Sequence, residues 1–233
     1  MKTSGGSDAM KRRAGESAAE TIEDGDVVGL GTGSTAAHAI RALGERVDAG
    51  VEIRGVATSF ASRELAIEER IPLVDLDEVT GPDAAGVDVA IDGADQVAAG
   101  DLIKGGGGAH AREKLVDSTA DRFVVVADPS KETAVLDRPV PVEVLASARG
   151  VVADAVRAAD GEATLRRAER KDGPVVTDNG NLLLDCAFGT IPDPGTLVTT
   201  LAETPGVLEH GLFVGLADEV HVGTADGVRV LEP

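Results

Sequence analysis

The chain of 233 residues contains no Trp and no Tyr, four Phe and one cysteine. With aromatics at 2%, its core has to be built from Val, Leu, Ile and Ala, which suits helices layered on a parallel sheet. The single cysteine, Cys186, excludes an intrachain disulfide and fits a cytoplasmic location. Its flanks, LLLDCAF, point to a buried, unreactive thiol. Cations are scarce: 22 Lys and Arg face 41 Asp and Glu, a formal charge of −19. That balance excludes nucleic acid and acidic membrane surfaces as partners, because both need a basic face. No apolar run is long enough to span a bilayer, and the start, MKTSGGSDAMKRR, lacks an apolar h-region. Residues 1–9 read as a loose tail. An acid-rich, lysine-poor chain with many small residues is suited to a salt-loving cytoplasm, where ions screen self-repulsion.

Glycine is plentiful at 29 residues, and the stretch Lys104–Lys114, KGGGGAHAREK, concentrates it. Gly105 to Gly108 carry no side chains and can present bare N–H groups to an anion. A helix expected from Ala109 adds partial positive charge at its start. It also carries Glu113 about one turn in, expected on the same face as His110 and Lys114. A carboxylate, a lysine and a cradle of amides within eleven residues are machinery for a small anionic substrate.

Further along the chain, the pattern predicts a helix over Met10–Ile22, then a buried strand over Asp26–Leu30 running into GTGST. A helix with Ala36, Ala37, Ile40, Leu43 and Val47 on its apolar face follows. Gly31, Gly33 and Ala36 match the dinucleotide fingerprint, but that fold also wants an acid at the end of the second strand. There, after Val51–Ala57, stand Thr58 and Ser59. Hydroxyls favour a sugar phosphate over NAD, with Thr32, Ser34 and Thr35 as further donors. A helix is expected over Ser59–Arg70 and a strand over Leu73–Leu76. The next strand, from Val87, ends at Asp92, and Gly93 opens a turn carrying Asp95. These carboxylates are placed for hydroxyl binding or proton transfer, although Asp-Gly is equally a turn dipeptide. Leu115 and Val116 are expected to turn inward from the helix of Glu113. Arg122–Asp128 is a β-branched strand ending near Lys131. Later segments predict a helix over Ser147–Ala159, a hairpin in VVTDNGNLLLD around Asn-Gly, a helix from Pro194, and strands over Leu212–Leu216, Glu219–Val222 and Val228–Leu231.

Taken in order, GLGTGSTA, the Thr58-Ser59 pair, DGAD, KGGGGA followed by REK, VVVAD-x-SK, PVEV and VTDNGN resemble ribose-5-phosphate isomerase of the A type over nearly the whole chain. The resemblance implies an α/β fold, with a Rossmann-like, mostly parallel sheet flanked by helices (1–135 and 208–233) and a smaller α+β domain (136–207). It implies interconversion of ribose 5-phosphate and ribulose 5-phosphate without metal or organic cofactor, and a homodimer or dimer of dimers. By the same resemblance Glu113 is the catalytic base. Thr32, Gly33, Ser34 and Thr35, then Asp92, Gly93, Ala94 and Asp95, then Lys104, Gly105, Gly106 and Gly107, and finally Lys131, contact substrate.

Chemistry assigns Lys104 and the glycine amides to the enediolate charge, and Asp92 or Asp95 to ring opening. Thr32, Ser34, Thr35 and Lys131 fall to the phosphate. The helix start would lower the Glu113 pKa, so desolvation by bound substrate is expected to offset it. Gln96 replaces a more usual Glu and His110-Ala111 a Leu-Thr pair; both read as peripheral changes. A sugar-phosphate sensor, deaminase or lactonase on a related scaffold is the alternative.

Overall fold

The computed structural model describes residues 6–170 and 172–233. The expected tail therefore lies partly outside the described residues. Within them, Ser7 already caps helix α1 (Asp8–Ala19), its hydroxyl accepting from Met10 N. The first half continues as β1 (Val27–Leu30), α2 (Ala36–Asp48), β2 (Arg54–Ala57), α3 (Phe60–Glu68), α4 (Leu76–Val79), β3 (Val87–Gly93), β4 (Gln96–Ala98), β5 (Asp101–Ile103), α5 (His110–Thr119) and β6 (Ala120–Ala127). The second comprises β7 (Val140–Val144), α6 (Arg149–Ala158), β8 (Glu162–Leu165), β9 (Leu182–Ala187), α7 (Pro194–Ala202), β10 (Val207–His210), β11 (Leu212–Phe213), β12 (Glu219–Gly223) and β13 (Val228–Leu231).

The main sheet has the order β13-β12-β6-β3-β1-β2. Its strands from β2 to β12 run parallel, and β13 closes the edge antiparallel. In β6, Val124 and Val126 point into one core with Ala14, Ala18 and Ile40 of α1 and α2, whereas Phe123, Val125 and Ala127 point into another with Phe213 and Val222. This period-two division is what a strand covered on both faces requires. Because β1 lies between β2 and β3, the sheet changes winding direction there, and a crevice opens beyond the strand ends.

A four-stranded antiparallel sheet, β10-β7-β9-β8, forms the smaller unit, and its core includes Val142, Val152, Leu184 and Leu201. Residue 208 falls inside β10 of that sheet. A third sheet, β11-β5-β4, pairs the start of the expected Leu212–Leu216 strand with two short strands, β5 and β4, that the pattern does not predict. Its β4–β5 turn is made by Ala99 and Gly100, both at positive φ, and it delivers Lys104 directly from the end of β5.

Three expectations need correction. Leu73–Leu76 is not a strand: Leu73 makes one bridge to Gly55, and α4 follows, with Asp77 and Glu78 in its first turn. Acids there favour a helix start, and the apolar segment is too short to extend the sheet. Leu115 is exposed, whereas Val116 is buried, since neighbouring helical positions diverge by about 100°. In VVTDNGNLLLD the turn forms, with Thr177 N donating to Asn181 O, but only Val176 bridges across to Leu182. The polar side chains turn instead onto Glu143, which is fully buried in β7. Its Oε1 accepts from Thr177 Oγ1 at 2.8 Å, Asn181 Nδ2 at 2.9 Å and Asn179 Nδ2 at 3.1 Å.

A buried carboxylate deprived of one donor loses solvation that water cannot restore. Asn181→Ala should therefore lower the unfolding free energy by about 1–3 kcal/mol, measured by urea denaturation; an unchanged midpoint would remove this loop from the stability of the small sheet.

Candidate active site

Loops at the C-terminal ends of β1, β3 and β6, together with the segment between β5 and α5, surround one cleft. Its lining comprises Thr32–Thr35, Gly93–Asp95, Lys104–Gly107, Glu113 and Lys131. Every substrate-site position expected from sequence is thus at the cleft except Asp92, which is fully buried behind it. Asp92 Oδ1 accepts from Thr32 N at 2.9 Å and Gly93 N at 2.6 Å, joining the first glycine loop to the end of β3. A Cβ on Gly31 would lie 2.3 Å from the Asp92 carboxyl carbon, so that close approach requires glycine.

Lys104 is the electrostatic centre. Its Nζ donates to Gly93 O at 2.6 Å and lies 2.9 Å from Asp92 Oδ2, 3.5 Å from Glu113 Oε2 and 3.6 Å from Asp117 Oδ2. The rings of Phe213 and Phe123 flank it, with centroids at 5.2 and 5.8 Å. Burial alone would lower the lysine pKa, but the carboxylates of Asp92, Glu113 and Asp117 overcome it and hold the ammonium above its ordinary value. Burial also raises the carboxyls. Glu113 is pushed to about 8 by desolvation, opposed by Lys104 and reinforced by Asp92 and Asp95. Asp92 is raised by burial despite Lys104 and two amide donors, and Asp117 is raised well above its ordinary value by the same burial. The Glu113 shift therefore belongs to the folded chain itself and does not wait for a ligand to exclude water.

Lys131 also lines the cleft; burial lowers its pKa, with Arg138 and Lys11 adding to the effect and Asp95 and Asp128 opposing it. Those charges place Lys11, unforeseen from sequence, and Arg138 near Lys131. Thr58 and Ser59 do not line the cleft. They hold the Thr32 hydroxyl, which donates to Ser59 Oγ at 2.7 Å and lies 3.0 Å from Thr58 Oγ1. In the glycine cradle, Gly106 N donates to Asp95 Oδ2 at 2.6 Å.

The family model for ribose 5-phosphate isomerase A (phosphoriboisomerase A) matches residues 54–227. The chain belongs to this family. It is 77% identical to ribose-5-phosphate isomerase A of the halophilic archaeon Halorubrum lacusprofundi, covering 99% of each chain. The ribose 5-phosphate isomerase A structure from Methanocaldococcus jannaschii superposes with a TM-score of 0.91 at 45% identity, over 96% of this chain and 98% of that one. A D-ribose-5-phosphate isomerase in complex with phospho-erythronic acid gives 0.92 at 43% identity, with the same coverage.

Within this isomerase fold the two sequence departures have structural roles. Gln96 Oε1 accepts from Asp137 N and Arg138 N, while its Nε2 donates to Asp137 Oδ1 at 2.6 Å. A glutamate could not donate to that aspartate. His110 is fully buried and off the cleft, its Nε2 3.2 Å from Glu209 O. Burial lowers its pKa to about 3, so it stays neutral and does not titrate beside Glu113. Lys114 shares that direction, donating to Glu209 Oε1 at 2.6 Å. The helical repeat turns Lys114 about 100° away from Glu113, and His110, although one turn back, is directed to Glu209 O; Glu113 and Asp117, at i and i+4, both face Lys104.

Asp117 gave no motif signal beyond that spacing, and Arg166, which donates to Gly105 O and Gly106 O, gave none. Cys186 is buried, and burial raises its thiol to about 12, consistent with an inert side chain. Among the described residues no His, Cys, Asp and Glu cluster is arranged to hold a metal ion.

An unfolded glutamate ionises near 4.5, folded Glu113 near 8. Between these values the folded state binds more protons, so this stabilising contribution is complete below the lower pKa and lost as pH rises through the upper one. The unfolding free energy should accordingly fall with pH across that window, by at most about 1.4 kcal/mol per unit for this group. Glu113→Gln should flatten part of the slope in urea titrations; an unaltered slope would contradict the raised value.

Proposed function

We infer that this chain is an aldose-ketose isomerase interconverting ribose 5-phosphate and ribulose 5-phosphate through an enediolate. The family assignment supports this over the sensor, deaminase and lactonase readings. The observation that carries the chemistry is Glu113, a buried carboxylate facing the cleft beside a fixed ammonium. The open-chain aldose lies with C1 and C2 against Glu113, which removes the C2 proton and returns it to C1, while the proton of the C2 hydroxyl passes to O1 across the enediolate. Its raised pKa gives the carboxylate more proton affinity than an exposed one, which favours proton abstraction. Lys104 keeps its proton and acts as a fixed charge toward the enediolate oxygens, alongside the Gly107 amide. Asp95, which reaches the cleft where Asp92 does not, exchanges protons with the ring oxygen and anomeric hydroxyl during ring opening. Asp92 orients Lys104. The phosphate lies at the Thr32–Thr35 loop and Lys131, with Lys11 and Arg138 adding positive charge.

In this reading the residues up to 135 and from 211 onward supply the catalytic unit and residues 136–210 the smaller one, the boundary lying after β10. The enzyme works in the cytoplasm as a homodimer or dimer of dimers and needs no cofactor.

Glu113→Gln should retain the fold and bind ribose 5-phosphate within about tenfold while kcat falls by about 10²–10⁴ or more. Ketose formation provides the assay, and a variant keeping most of its activity would exclude Glu113 as the base. Since the base must be unprotonated, kcat/KM should rise with pH toward a plateau above about 8. A profile already flat through neutral pH would contradict that assignment. Exhaustive chelation should leave turnover unchanged; reversible loss would reveal a required metal.

A further inference from the structure

The glycine cradle is gripped from the other sheet. Arg166 follows the last residue of β8, and Asp185 lies on β9 opposite Thr164, two residues before Arg166. The Arg166 Nε is 3.2 and 3.0 Å from the two Asp185 carboxylate oxygens, and its Nη2 also donates to Oδ1. The remaining Nη1 donates to Gly105 O at 3.0 Å and Gly106 O at 3.2 Å. A planar guanidinium oriented on two sides by a carboxylate is a rigid fork, here set against chain that has no side chains of its own to restrain it.

We propose that Arg166 is a positioning residue for the isomerisation, fixing the Gly107 amide toward the cleft by holding the carbonyls behind it. In a trans peptide the C=O and N–H point in opposite directions, and the described peptide bonds are all trans. Holding the Gly105 carbonyl turns the Gly106 N–H away from Arg166, where it meets Asp95 Oδ2 at 2.6 Å. Holding the Gly106 carbonyl turns the Gly107 N–H away likewise, at a residue that lines the cleft. One side chain of the smaller unit thereby sets both the carboxylate assigned to ring opening and an amide assigned to the enediolate. A brace serving stability alone would have no reason to affect turnover of folded enzyme.

The inference rests on the isomerase reading of the cleft, so Glu113→Gln is measured alongside it. Arg166→Ala should lower kcat about tenfold or more with KM changed less than about threefold, because a misdirected amide loses most where charge develops. Arg166→Lys keeps the charge but cannot hold Asp185 at two oxygens and both carbonyls together, so it should recover activity only in part. Asp185→Asn should fall between Arg166→Ala and the wild type. Folded Arg166→Ala with kcat within about twofold of wild type, or with only KM raised, would overturn the proposal. Should Arg166→Ala fail to fold, unchanged kcat in both Arg166→Lys and Asp185→Asn would do so. If Glu113→Gln is inactive while the Arg166 variants turn over normally, this inference alone falls. If Glu113→Gln stays active, the reading beneath it falls.

Discussion

One ammonium buried among three carboxyl groups is the constraint to which the rest of the site answers. Lys104 is 2% exposed, and Asp92, Glu113 and Asp117 are all buried around it. A lone charge so far from water would be costly, and three anions around one cation cannot all be equally stabilised. The donor supply separates them. Asp92 receives two amides and lies nearest the lysine; Glu113 opens onto the cleft; neither oxygen of Asp117 has a hydrogen-bond partner among the described residues. The surrounding carboxylates hold the lysine charged against the burial that would lower its pKa, and the same burial makes the glutamate a stronger base.

The secondary structure exists, in effect, to bring these groups together from distant parts of the chain. Parallel strands deliver the Thr32 loop, the Asp92–Asp95 turn and Lys131 to one edge, where polar groups at successive strand ends share a crevice. A short antiparallel sheet delivers Lys104, and α5 presents Glu113 and Asp117 one turn apart. The smaller unit contributes too: Asp178 accepts from Phe60 N at the start of α3 at 2.9 Å, next to the serine that holds Thr32. Arg166 reaches the glycine cradle from the same unit.

Much of this was legible because its causes are local. Glycine loops after β-branched runs mark strand ends, and hydroxyls or acids at those ends mark a ligand edge, so the cleft residues could be named before their geometry was known. Other features have causes that are not local. Leu73–Leu76 has the composition of a strand, but whether it extends the sheet depends on what lies beside it. Helical spacing put His110 beside Glu113, yet its neighbour in space is the carbonyl of Glu209. The β4–β5 turn uses Ala99-Gly100, without the Asn-Gly or Asp-Gly signal that marks tight hairpins. The polar VTDNGN segment announced a turn correctly, but not that its side chains would solvate Glu143.

The sequence by itself determined the family, the α/β architecture and the set of side chains around the cleft, because backbone conformation and residue chemistry are written at fixed positions along the chain. Tertiary structure decided their electrical state: that Asp92 sits behind the cleft, that Glu113 holds its proton toward pH 8 while His110 stays neutral, and that Asp117 and Arg166 belong near the site at all. Charge stability depends on which groups and how much water lie within a few ångströms, and that distance is fixed only when separate segments pack together.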